Sequence, residues 1–233
     1  YRAQRKGWKF VYRREIQSPA ELPPIMSAIK SQQFRWTKGG AECAVKHARG
    51  VLKEDLPLSI KIHAMAHLFN SSIFIDIILV SLSSIGVWWA GQQELIPNVL
   101  FRLAGVFLIG FVIIACVYLV AFLYGKKNFW KNLFEAIYML PLFLAVSMGL
   151  ALHNAQAVWE GLSGKKSPFI RTTKFNLESG KTGLKSNSYF ASKIPTTTWF
   201  EGILAFIFTA MVFIHLSIGS YELLPFHLML AIG

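Results

Sequence analysis

Gln32, Arg35 and Trp36 stand at i, i+3 and i+4, so on a helix an amide, a fixed cation and an aromatic plate share one face. An arginine fork grips phosphate oxygens through paired, charge-assisted hydrogen bonds, and an indole offers an apolar surface to the C–H side of a pyranose. The trio therefore suits a sugar and a diphosphate. The same residue types also anchor amphipathic helices at membrane interfaces, and the trio alone leaves both readings open.

Other polar residues are weaker signals. Asp76, inside Phe74-Ile75-Asp76-Ile77-Ile78, is an ionisable group in an apolar run, which suggests either a water-filled path or a local partner in helix packing. His63 and His67 are spaced i, i+4 on a helix, but no third ligand follows, so they read as interfacial histidines and not a metal site. Cys43 lies in a polar stretch and Cys116 in an apolar run, which argues against a disulfide framework or a zinc site.

These residues need a scaffold, and the composition indicates which kind. The 233 residues are 54% hydrophobic yet carry a formal charge of +12, a pairing that marks a membrane protein with basic cytosolic surfaces. The charge is assigned to lipid headgroups and phosphate ligands, with no nucleic acid as partner. The class expected is mainly α: membrane-embedded helices with four spans, the last truncated, and an N-terminal cytosolic amphipathic interface helix.

From Tyr1 to Lys61 positive residues far outnumber acidic ones, so this segment is expected to stay cytosolic. Within it, Trp8-Lys9-Phe10-Val11-Tyr12 alternates and predicts a short strand. Pro23 and Pro24 suit a helix start, and Ile25, Met26, Ile29, Phe34 and Trp36 make that helix amphipathic up to a break at Gly39-Gly40. Ile62 to Ala90 predicts the first span, Val99 to Tyr124 the second, and Lys126, Lys127 and Lys131 return the chain to the cytosol. Phe129 to Leu162 is apolar enough to span, but basic residues flank it on both sides, and charge assigns it as an interfacial or re-entrant helix. The Gly-, Ser-, Thr- and Lys-rich stretch Ser163 to Thr198 predicts a mobile cytosolic loop. Thr198 and Glu201 form a capping box for the third span, Trp199 to about Gly219, and Pro225 opens the short fourth. The divisions are 1–57, 58–124, 125–198 and 199–233. Both ends read as cut, so a longer protein is expected.

Tyr1-Arg2-Ala3-Gln4-Arg5-Lys6-Gly7-Trp8-Lys9-Phe10 and Ser31-Gln32-Gln33-Phe34-Arg35-Trp36-Thr37-Lys38-Gly39 resemble the family 2 membrane glycosyltransferases. These include cellulose and hyaluronan synthases and the cellulose-synthase-like enzymes of mannan and xyloglucan-backbone type. Phe169-Ile170-Arg171-Thr172-Thr173-Lys174 is similar to the gating loop of cellulose synthases, with Arg171 in place of the usual Val.

The resemblance implies an inverting, processive hexosyltransferase that moves sugar from a nucleotide-diphosphate sugar onto a growing β-linked glycan and passes it through a transmembrane channel. It implies that Trp36 stacks on the acceptor's terminal sugar, that Gln32 and Arg35 help hold acceptor and diphosphate, and that Phe169, Thr172 and Lys174 cover the donor. Asp76 becomes a candidate channel residue. The family's catalytic Asp and its Asp-x-Asp metal motif have no counterpart in this chain. The base, the GT-A catalytic domain and the ligands of a divalent cation (Mg or Mn) are therefore expected upstream of Tyr1, and no residue here is assigned as base or metal ligand. The host membrane is expected to be a bacterial inner membrane, or Golgi in a eukaryote. Two other readings are a single-transfer lipid glycosyltransferase of the ceramide glucosyltransferase type and, from another class, a transporter or channel component.

Overall fold

The computed structural model describes the chain except for residues 14, 19, 21, 24, 98–111, 126 and 169–194. The described residues are mainly helical, with no strand among them. They divide into two compact units, Tyr1–Ile73 with His153–Ile194, and Phe74–Leu152 with Pro195–Gly233.

In the first unit a single turn, α1 (Arg2–Arg5), precedes an extended, exposed stretch, then α2 (Met26–Lys53) and α3 (Leu58–Leu68), a 3₁₀ turn at Asn70–Ser72, and the greater part of α7 (Ala151–Leu162). Trp8 to Tyr12 does not form the expected strand: these residues are irregular and exposed. Alternation makes a strand only where a second strand supplies ladder hydrogen bonds, and none stands among the described residues.

The expected break at Gly39-Gly40 is also absent, because α2 runs through both glycines to Lys53. Glycine costs about 1 kcal/mol in a helix, and at Gly40 the reason for accepting that cost is visible. A side chain there would collide with Ser71 Oγ of the 3₁₀ turn. The helix ends at Glu54, and Pro57, which lacks a donor and has a fixed φ, stands at the N-cap of α3. Ala44, Val51 and Leu68 form a small core between α2 and α3, with Tyr1, Ala48, Ala64 and Met65 packed around it.

The second unit contains α4 (Ile73–Gln92, from its second residue), α5 (Val112–Leu123), α6 (Phe129–Gly149), α8 (Thr196–Ile218) and α9 (Leu224–Ile232). Among the described residues three helices are long and apolar enough to cross a membrane: Asn70–Gln92, Phe129–Gly149 and Thr196–Ile218. The first span thus begins later than Ile62, since Phe69 closes α3 and the Ser72 hydroxyl donates to Phe69 O across the 3₁₀ turn. α5 covers the described part of the second expected span. α6 meets the length and composition of a span while carrying Pro141, which neighbouring helices allow in apolar surroundings.

α8 starts at Thr196 with Pro195 as N-cap and no side-chain cap bond. Thr198 therefore lies inside the first turn and the expected capping box is not formed. Gly219 closes α8 in the left-handed region at φ 72°, where Ser220 N–H returns to His215 O at 3.1 Å. The nine residues of α9 pack on α8 and α6.

Polar side chains inside these apolar helices find one another, because no solvent is there to pair with them. His215 Nδ1 donates to Ser220 O, His215 Nε2 and His227 Nδ1 share a hydrogen bond, and His227 Nε2 meets Ser84 Oγ, each at 2.8 Å. Both imidazoles are buried, and Trp88 Nε1 donates to Ser220 Oγ at 3.2 Å. This chain of bonds ties α4, α8 and α9 together.

Candidate functional site

Two stripes of α2 are used for packing. Lys30, Phe34, Lys38 and Ala41, spaced i, i+4, i+8 and i+11, meet α7. The Lys30 carbonyl accepts from His153 Nε2 at 3.1 Å, the Phe34 ring lies 5.2 Å from the His153 ring, and Lys38 Nζ is 3.2 Å from Glu160 Oε2. A Cβ on Gly161 would stand 2.7 Å from Ala41 Cβ and from Lys38 O, so the glycine sets the close approach of the two helices. The paired numbers rise together, so α2 and α7 run in the same direction. Gly40, Ala44 and Val51 form the second stripe, against the 3₁₀ turn and α3.

Gln32, Arg35 and Trp36 fall outside both stripes. Gln32 and Arg35 are half-buried, while Trp36 is 62% exposed. An indole of that size left open on a rigid, well-packed helix presents an apolar plate beside a guanidinium, the combination the sequence indicates for a sugar near a phosphate. Among the described residues, a Cβ on Gly39, one turn beyond Arg35, would meet nothing within 4 Å.

Beneath this face lies a charged cluster that motif reading passed over. Lys38 is 4% exposed and Glu160 7%. Glu160 Oε1 accepts from Lys165 Nζ at 2.7 Å, and Lys38 Nζ also donates to Ser167 Oγ at 2.9 Å. The hydrogen bond from Lys165, assisted by Lys38 and Gln156, holds the Glu160 carboxyl below its usual range despite burial. A signal was available in sequence: Asn154 and Glu160 fall among Ala151, Ala157, Val158 and Gly161 on the buried side of α7, and polar residues in an apolar stripe need partners. At the far end of α2, Tyr1 stacks on His47 with ring centres 6.1 Å apart, and burial, then Arg2 and Lys46, push the His47 pKa down.

Asp76 sits exposed in the first turn of α4, where the helix dipole favours a carboxylate, rather than in mid-helix. His63 and His67 meet edge to face at 5.0 Å on α3. Phe169, Thr172 and Lys174 lie outside the described residues. Among the described residues no three His, Cys, Asp or Glu side chains converge to hold a metal ion. The described residues thus offer no donor set for the divalent cation that the resemblance implies.

The arrangement defines a class first: a helical membrane protein with a basic, aromatic-bearing helix outside its apolar spans. Curated proteins narrow the class. The chain is 41% identical over 69 residues to probable glucomannan 4-beta-mannosyltransferase 7 of Oryza sativa subsp. japonica, covering 29% of this chain and 12% of that protein. It is 35% identical over 74 residues to probable glucomannan 4-beta-mannosyltransferase 4 of the same species, covering 32% and 13%. It is 39% identical over 54 residues to glucomannan 4-beta-mannosyltransferase 7 of Arabidopsis thaliana, covering 23% and 10%. The match thus spans about an eighth of the length of the first relatives. No protein-family model and no solved structure matches the chain.

Proposed function

We propose that this chain is the membrane-embedded, acceptor-holding part of a processive family 2 glycosyltransferase, which extends a β-linked glycan from a nucleotide-diphosphate sugar and passes the product across the bilayer. The observation that carries the proposal is the exposed Trp36 indole beside half-buried Gln32 and Arg35, on a helix that two other stripes hold by packing. The similarity to glucomannan mannosyltransferases supports it and makes a mannosyl donor the first to test. In this reading Trp36 stacks on the terminal sugar, Arg35 faces the diphosphate and Gln32 holds a sugar hydroxyl. Aligning acceptor and donor in this way supplies catalysis by proximity. The base that deprotonates the acceptor hydroxyl and the residues that hold a divalent cation belong to other parts of the full protein, and Phe169, Thr172 and Lys174 cover the donor.

The test is polymer synthesis by the full-length protein in membranes supplied with labelled mannosyl and glucosyl nucleotides. Trp36→Ala and Arg35→Ala should each abolish polymer while leaving membrane insertion intact. Near-normal synthesis by Trp36→Ala would reject the acceptor platform. A product of one sugar on a lipid would instead identify a single-transfer enzyme.

A further inference from the structure

We infer that Glu160 is a positioning residue, which locks the α2 helix into the one registration that aims Arg35 and Trp36 and fixes the start of the segment after α7 to the same point. The inference rests on the acceptor-platform reading of the Trp36 face. Its basis is the pair of buried charges already described: one carboxylate holds Lys38 of α2 on Oε2 and Lys165 on Oε1, and Lys38 in turn holds Ser167.

Lys38 lies two residues past Trp36 and three past Arg35 on the same rigid helix, so any slip or rotation of α2 that moved them would also break the buried ion pair. Stability alone does not explain charge at this place. Apolar residues of similar volume generally hold two helices as well as or better than a buried ion pair, whereas removing one partner leaves an uncompensated charge. What the pair adds is register: a slide of one helix along the other would leave both buried charges unpaired, whereas an apolar contact can often be repacked at smaller cost. Ser167 stands two residues before Phe169, within about 7 Å of chain. One carboxylate therefore ties the helix bearing the first motif to the root of the segment bearing the second.

The experiment uses the full-length enzyme in membranes and compares kcat and the donor KM per inserted molecule, read as nucleoside diphosphate released, with thermal melting measured in parallel. The double variant Lys38→Met/Glu160→Leu removes the charges but keeps the packing. It should melt within a few degrees of wild type yet lose about tenfold or more in kcat/KM, since misplacing reacting groups by ~1 Å costs up to about a hundredfold. Ser167→Ala should show a smaller loss of the same kind.

Wild-type kinetics in the double variant would overturn the inference and leave the pair a structural one. Should the double variant fail to insert, Glu160→Asp and Ser167→Ala carry the same readout, and unchanged kinetics in both overturns it. The platform reading fails separately: if Trp36→Ala synthesises normally, the platform is wrong, whereas loss in Trp36→Ala beside normal kinetics in the Glu160 and Ser167 variants rejects only the role of Glu160.

Discussion

Gly39 separates a functional from a structural account of the Trp36 face. Unlike Gly40, which stands against Ser71, it has no neighbour among the described residues within 4 Å of where a side chain would stand. Its backbone is helical, with no φ in the left-handed region, so alanine should fit and stabilise the helix by about 0.5–1 kcal/mol. If an acceptor sugar sits on Trp36 beside Gly39, bulk there obstructs it. Gly39→Ala in the full-length protein should melt at or above the wild-type temperature. Gly39→Leu should insert normally yet make about tenfold less polymer or worse, the size of loss expected when bound groups are held out of line. Melting curves and labelled-polymer yield check the two halves of the expectation, and a fully active Gly39→Leu enzyme would show that nothing binds beside Trp36.

Among the helices, the contact between α2 and α7 constrains membrane topology. The two pack together through Lys38–Glu160 and His153–Lys30, so they lie on one side of the bilayer, and the chain between them must cross an even number of times. Three apolar stretches compete for those crossings: α4, the stretch containing α5, and α6, so at least one of them does not cross. Lys127 and Lys131, beside the start of α6, favour a cytosolic position there, and Lys165 and Lys166 do the same just beyond α7. On this charge pattern we expect α6 to enter and leave on the cytosolic side, although its length would allow a crossing. In a variant lacking Cys43 and Cys116, single cysteines at Lys127 and at 180–188 should react with an impermeant maleimide only from the cytosolic side of sealed vesicles; labelling of Lys127→Cys from outside would make α6 a span, and labelling at 180–188 from outside would separate α2 from α7. The helix carrying Gln32, Arg35 and Trp36 and the apolar runs were legible because 3.6-residue periodicity and hydropathy are local properties. What sequence reasoning got wrong depended on distant partners. Among the described residues Trp8–Tyr12 has no second strand to pair with, α2 packs on the 3₁₀ turn where Gly40 meets Ser71, and the Lys38–Glu160 pair joins residues 122 apart in the chain.

For the whole molecule, the question is whether these 233 residues suffice for transfer. A general base must come within about 3 Å of the hydroxyl it deprotonates, and two carboxylates of the compact unit that holds Trp36 are already engaged. Glu160 is buried and held ionised between two lysines, and Glu54 is bound to Arg5. Glu42 is exposed on α2 but six residues past Trp36, roughly 9 Å along the helix axis. The similarity covers only 12% of the first relative, which leaves ample chain in such a protein for a base and a metal-binding carboxylate cluster. The 233-residue chain expressed alone should therefore insert into membranes but release no nucleoside diphosphate from mannosyl or glucosyl donors, with or without Mg or Mn, while the full-length protein should make polymer under the same conditions. Transfer by the chain alone would mean that its own residues supply the base, and loss of that activity in Glu42→Gln would then identify it.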